Sequence, residues 1–269
     1  MSGFTIDWLR MRAPFDRQAR NRDVLARVAQ HFAHLPSLTV VDLGCGLGAT
    51  REALAPHLPR PQHWLLADND LSLLARAAAA PDIDGCDTRA VPIDLARDLE
   101  AVLDGAPDLI ATSALLDLVS QPWLDRLVLE CQVRSLPLYA ALTYDGRVSL
   151  TPRDPLDDAI IAATHRHHTR NKGFGPALGP GAVDALRAAC RAAGYAVVEG
   201  ASDWTIGPDA RVMQETLAAW WAGAAQETGE VAMPDVAAWL MRRRDLIAAG
   251  RSAMTVGHHD VFAHPLPAR

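Results

Sequence analysis

The sequence predicts an α/β protein built on a doubly wound, mostly parallel sheet with helices on both faces. Three observations predict it. An apolar run ends in a glycine loop and a helix at Val40 to Thr50, read VVDLGCGLGAT. Short apolar runs then alternate with segments of helical period through the first half of the chain. Finally, the next apolar run ends on Asp68, twenty residues after Gly48, the spacing at which the second strand of a βαβ unit brings a carboxylate to a ribose.

The glycine loop is the centre of the prediction. Gly44, Gly46 and Gly48 lack a Cβ, so the backbone can turn with positive φ and a ligand can lie against it. A helix predicted over Ala49 to Leu58 points its partly positive N-terminus at the same spot. Strand, glycine loop and helix in that order make a nucleotide-binding turn. Gly44-x-Gly46-x-x-Ala49 fits the dinucleotide fingerprint. Asp42, however, would repel a pyrophosphate and suits a ligand carrying an ammonium group. Asp42-Leu-Gly-Cys-Gly-Leu-Gly48 resembles motif I, D/E-x-G-x-G-x-G, of the class I S-adenosylmethionine-dependent methyltransferases. The resemblance is good from Val40 to about residue 110 and rests on topology beyond it.

The elements follow in order. Residues 1–36 form an N-terminal helical cap, in which Pro14 should break the segment 6–21 into two pieces and Val24, Leu25, Val28, Phe32 and Leu35 give the next helix its apolar face. Strands are expected at 63–67, 88–93, 108–112 and 137–143, with helices at 71–80, 95–103 and from Pro122. Asn69 or Asp70 caps the first of these helices. Asp145-Gly146 between two apolar runs signals a hairpin. Helices at 156–170 and 181–193 flank a loop, Asn171 to Pro180, dense in glycine and proline. A strand at 195–199, helices at 208–225 and 234–249, and a last strand at 252–264 complete the chain. The resemblance implies seven strands, the last two an antiparallel hairpin at the sheet edge. Two helical insertions, 144–193 and 207–250, are then expected as lid elements on a single domain spanning 1–269.

The resemblance also implies site residues. Asp42 and the three glycines hold the donor, S-adenosyl-L-methionine, and Asp68 takes its ribose hydroxyls with Asn69 beside it. Asp94 accepts from the adenine amino group while Leu95 packs on the ring, and Ser113 lies beside the cofactor at the end of the fourth strand. Arg20 or Arg12 meets the donor carboxylate through a bidentate pair. The residues themselves offer other roles: Asp68 as a solvated loop acid whose loss barely alters stability, Asp94 as a helix cap, each arginine as part of a solvated cationic face.

Methyl transfer is an in-line displacement that needs a general base only when the acceptor must lose a proton early. The candidates are His165, His167 and His168. His165 and His168 share one helix face and His167 points elsewhere. His167 is chosen as the catalytic base because Lys172 and Phe174 follow in a loop stiff enough to form a pocket wall. Asp117, Tyr144, Lys172 and Phe174 are the candidate acceptor contacts. No carboxylate stands at matching helical spacing to the histidines, so no metal is expected. Trp204, Trp220, Trp221 and Trp239 read as core, with an apolar acceptor pocket as the alternative.

Composition narrows the function class. A net charge of −6 argues against non-specific nucleic-acid binding. Cys45, Cys86, Cys131 and Cys190 are scattered without C-x-x-C pairing, which argues against structural zinc or a disulfide framework. With no signal-like or membrane-length apolar segment, the expectation is a cytoplasmic enzyme with no membrane partner. It transfers methyl to oxygen or nitrogen of a small-molecule acceptor, and a homodimer is left open. The alternatives are an S-adenosylmethionine-binding protein without transferase activity and an NAD-dependent dehydrogenase.

Overall fold

The computed structural model describes residues 5–81 and 83–266; the first four residues of the expected cap lie outside them. The strands are β1 Leu38–Leu43, β2 Gln62–Asp68, β3 Cys86–Pro92, β4 Leu109–Ser113, β5 Leu138–Thr151, β6 Tyr195–Ala201, β7 Trp204–Ile206 and β8 Ala253–Pro265. They form one sheet of order β3-β2-β1-β4-β5-β8-β6, with β7 also paired to β8. The pairs from β3 across to β5 are parallel, and β8 runs antiparallel to β5, β6 and β7. The sheet has eight strands rather than the expected seven because its edge is broken. β6 pairs with the C-terminal half of β8 and β7 with the N-terminal half. Ser202 continues the ladder between them, donating its N–H to the His258 carbonyl at 2.8 Å.

The helices are α1 Ile6–Ala19, α2 Arg22–Phe32, α3 Ala49–Leu54, α4 Leu71–Ala78, α5 Leu99–Leu103, α6 Gln121–Arg134, α7 Asp157–His168, α8 Ala182–Ala192, α9 Arg211–Thr228 and α10 Met233–Ala248. Val24, Val28 and Phe32 of α2 pack with Leu38, Val40 and Trp64 on one face of the sheet. Leu124 and Leu127 of α6 and Leu186 of α8 pack with Val41, Leu43 and Ile110 on the other. A third cluster joins α7, α9 and α10 to β7 and the first half of β8.

Two expectations are corrected. α1 is continuous through Pro14, which is exposed, so the backbone group it leaves unpaired meets solvent. The helix is held by other contacts: Thr5 caps it, Arg12 Nε donates to Asp16 Oδ2 at 2.7 Å, and Trp8 packs against Trp220 with tilted rings, 4.1 Å between centroids. The Asp145-Gly146 hairpin does not form. β5 runs straight through it beside the long β8, and the two residues become a bulge between the Tyr144–His258 and Val148–Val256 pairs. Gly146 supplies the positive φ, +87°, that the bulge needs. A thirteen-residue partner strand offers more backbone pairing than a local turn can.

Trp204, Trp221 and Trp239 are core, as expected, while Trp220 is 45 % exposed over Trp8. Trp239 Nε1 donates to Asp157 Oδ1 at 2.8 Å, and the fully buried Arg243 pairs with the same carboxylate. Asp157 thereby ties α10 to the start of α7.

Candidate active site

The three loop glycines have φ of +66°, +53° and +87° at Gly44, Gly46 and Gly48. The loop is anchored from below and from the side. Gly44 and Cys45 both donate N–H to the Ala67 carbonyl, at 2.8 and 3.1 Å. From β2, Asp68 Oδ2 accepts the Gly46 N–H at 2.9 Å, and its Oδ1 accepts the Asp70 N–H at 2.9 Å. Asp70 Oδ1 in turn caps α4 through the Ser72 and Leu73 amides.

Above the carboxyl ends of β1, β2 and β4 opens a cavity of about 870 Å³. Its floor is the glycine loop with Asp68, Asn69 and Ser113. One wall is α1, through Leu9, Arg10, Arg12, Asp16 and Arg17. The opposite wall carries His167 and the loop residues Asn171 to Phe174, with Glu227 from α9. The size falls within the range of small-ligand sites. A crevice at the carboxyl ends of the strands, where the order reverses between β1 and β4, is where doubly wound folds bind ligands.

The comparisons agree with this topology. A candidate type II methyltransferase from Anaeromyxobacter dehalogenans superposes with a TM-score of 0.51 at 16% identity, covering 93% of this chain and 98% of that one. A cyclopropane-fatty-acyl-phospholipid synthase-like protein from Lactobacillus casei does so with a TM-score of 0.50 at 14% identity, covering 96% and 94%. The chain has the class I methyltransferase fold. No family model and no curated protein matches its sequence.

Within this methyltransferase fold the predicted site residues divide. Gly44, Gly46, Asp68, Asn69, Leu95, Ser113, His167, Lys172 and Phe174 line the cavity. Asp42, Gly48, Asp94, Arg20, Asp117 and Tyr144 do not, and the structure accounts for each.

Asp42 is 0 % exposed beneath the loop, not beside the cavity, and neither carboxyl oxygen has a hydrogen-bond partner. Burial pushes its pKa up to about 7, against the nearby Thr50 hydroxyl and the guanidinium groups of Arg20 and Arg51. Asp68, also close, pushes the same way as burial. Gly48 is buried at the start of α3. Asp94 turns its Oδ1 onto the Ala96 N–H at 3.0 Å and closes a turn; it does not cap the helix expected over 95–103, which begins only at Leu99 after Asp98, while its neighbours Ile93 and Leu95 form the wall.

Arg20 is sealed below the floor. It donates to Ser113 Oγ at 3.0 Å and to the Tyr139 hydroxyl at 3.3 Å, which itself donates to Asp260 at 3.2 Å. Arg20 therefore positions Ser113 and leaves Arg12, the other arginine named from sequence, in the cavity wall. The Arg12 guanidinium lies over Trp204, whose Nε1 donates to Asp16 Oδ1 at 2.9 Å.

Asp117 and Tyr144 belong to a polar cluster behind the wall. Asp117 lies 3.1 Å from His168 Nε2, and the Tyr144 hydroxyl lies 2.9 Å from His165 Nε2. Burial alone would push Asp117 up, but the His168 contact holds it below the usual carboxylate range. His165 and His168 thus share one face of α7 against Tyr144, and His167 faces the cavity, with Nε2 2.9 Å from Glu227 Oε2.

The loop after α7 is stiff for visible reasons. Asn171 Oδ1 accepts from the Gly173 and Gly175 amides at 2.7 and 3.1 Å, and Leu178 and Gly179 donate to the carbonyls of Val119 and Asp117. Phe174 packs edge-on against Trp123, centroids 5.3 Å apart. Sequence reasoning missed Glu227, which is 60 residues from His167 and carries no local signal. It also missed Ala114, whose φ of +51° at the end of β4 sets the wall beside Ser113.

Proposed function

We propose that the chain transfers a methyl group from S-adenosyl-L-methionine to oxygen or nitrogen of a small-molecule acceptor. The observation that carries this reading is the bond from Gly46 N–H to Asp68. A dinucleotide's pyrophosphate needs the free amides of such a loop. Here one is taken by a carboxylate, which places negative charge where the phosphates would sit. A ribose diol has the donors that this carboxylate can receive. The sequence argument against a dinucleotide rested on Asp42; with Asp42 buried, Asp68 takes over that role.

The residues fit the donor. The glycine loop presents bare backbone, Leu95 offers an apolar face for a base, and Arg12 has one edge fixed by Asp16 while it borders the cavity. S-adenosylmethionine, when bound, supplies an electrophilic methyl carbon on a sulfonium. The protein's part is to hold and orient. Asp68 and Asn69 fix the ribose end, Ser113 is held in place by Arg20, and Arg12 takes the donor carboxylate. α1 covers the site and excludes water. The acceptor enters on the side of Lys172, Phe174, His167 and Glu227, where the wall is both polar and aromatic. Asp94 and Asp42 act indirectly, the first by shaping the Ile93–Leu95 turn and the second from beneath the loop.

We place the enzyme in the cytoplasm and, on the acidic net charge, give it no nucleic-acid partner. No helix among the described residues is long and apolar enough to cross a membrane. The test is mass spectrometry of small molecules released from freshly purified protein. S-adenosylmethionine or its demethylated product is expected; bound NAD would move the chain to the dehydrogenase reading.

A further inference from the structure

The chain has 26 basic residues counted as lysine plus arginine, and Lys172 is the only lysine among them. Every other residue of that set is an arginine. Arginine serves ion pairs and anion binding at least as well as lysine, but it does not deprotonate in proteins. A single lysine therefore stands out where a titrating amine would be of use, and Lys172 stands in the cavity wall.

Its surroundings suit that use. Lys172 is half-buried and makes no hydrogen bond or ion pair among the described residues. The loop that carries it is clamped by Asn171, so the amine is presented from a fixed backbone. Glu227, which lines the same wall, is already engaged by His167 and by Arg170, at 2.9 and 3.4 Å. The other acids on the wall are also engaged. Asp16 is bound by Arg12 and Trp204, Asp68 by two amides, and Asp70 by its helix; Glu52 lies 3.8 Å from Arg17. Burial, and then Arg170, lower the Lys172 pKa, with Glu227 opposing. His167, on the same wall, spends one ring nitrogen, Nε2, on Glu227.

We propose that Lys172 is the proton acceptor of the reaction, standing unpaired on the acceptor side of the cavity. This rests on the methyltransferase reading above. As the acceptor's oxygen or nitrogen lone pair bonds to the methyl carbon, the carbon–sulfur bond breaks and its electron pair stays on sulfur. The proton released from the acceptor atom passes to the Lys172 nitrogen and then to water. The substrate class is accordingly a hydroxyl or amino compound that reacts poorly until it loses a proton.

A lone lysine makes the test direct. Trace acetylation with acetic anhydride, read by mass spectrometry on the Lys172 peptide across about pH 6 to 11, gives the amine's own titration. The protein is run with and without saturating S-adenosylhomocysteine. A midpoint at least about one unit below the ordinary lysine value of ~10.4 supports the proposal. A midpoint at the ordinary value, or no reaction at any pH, overturns it. Lys172→Arg keeps the charge and removes the proton acceptor. It should bind S-adenosylhomocysteine as the native chain does, and should transfer labelled methyl to a small-molecule extract about 100-fold or more slowly. Equal rates in native and variant would overturn the proposal. Failure of the native chain to bind S-adenosylhomocysteine would instead strike the methyltransferase reading itself, and the role of Lys172 would fall with it.

Discussion

Asp68 and Gly46 are joined by a 2.9 Å hydrogen bond from the loop amide to the carboxylate, across 22 residues of sequence. One side chain thus fixes the loop and faces the cavity. Asp68→Ala should weaken S-adenosylhomocysteine binding by about 10- to 1,000-fold, since a hydrogen bond to a charged group contributes roughly 1.5–3 kcal/mol and ~1.4 kcal/mol is tenfold. The sequence suggested a loop acid whose loss leaves stability unchanged. The bonds to the Gly46 and Asp70 amides replace that with an expected loss of about 1–3 kcal/mol. Asp70→Ala is the control: it should cost about 1 kcal/mol of stability as a lost cap and leave affinity largely intact. Calorimetry and denaturant titration check both variants.

Asp42 makes stability depend on pH. Its folded carboxyl keeps its proton up to about pH 7, whereas an unfolded aspartate loses it near ~3.9. Between those values the folded state binds more protons, so stability falls as pH rises through the window. Three units at about 1.36 kcal/mol each set an upper bound of about 4 kcal/mol. Asp42→Asn should flatten this slope. An unchanged slope in urea titrations from about pH 4 to 7 would place the titrating group elsewhere.

Gly46 has φ of +53°, a conformation that a β-branched residue adopts only under strain, and a Cβ there would point toward Leu9 of α1 at 3.7 Å. Gly46→Val should therefore abolish S-adenosylhomocysteine binding while circular dichroism still reports a folded chain. Normal affinity would mean that the loop tolerates side chains where the donor is placed.

In the proposed reading the site is covered by α1 rather than by the paired helices α9 and α10. α1 lines the cavity along one side, while α9 reaches it through Glu227 and α10 does not line it. Hydrogen exchange should show α1 amides gaining protection when S-adenosylhomocysteine binds, with Met233–Ala248 unchanged. Increased protection across α10 would restore the lid expected from the sequence.

What was legible in the sequence follows from how local each signal is. The glycine loop, Asp68 and the cap at Asp70 are read over a few residues, and all three sit where they were expected. The His165–His168 face of α7 follows from helical spacing alone. The bulge at Asp145-Gly146 was missed because a local turn signal says nothing about a partner strand more than a hundred residues away. The continuity of α1 through Pro14 depends likewise on Trp204 and Trp220, far along the chain. Arg20 and Arg12 look alike in sequence. Only the fold sends one beneath the floor to Ser113 and the other into the wall. Asp42 was placed by position in its motif, but burial depends on how the loop folds over it.

The central claim is that the loop and Asp68 receive an adenosyl donor and not a dinucleotide. Isothermal calorimetry of the native chain with S-adenosylhomocysteine and with NAD tests it most directly. Saturable binding of S-adenosylhomocysteine, at least tenfold tighter than NAD by about 1.4 kcal/mol and lost in Asp68→Ala, is the predicted result. Saturable NAD binding with no heat from S-adenosylhomocysteine would contradict it.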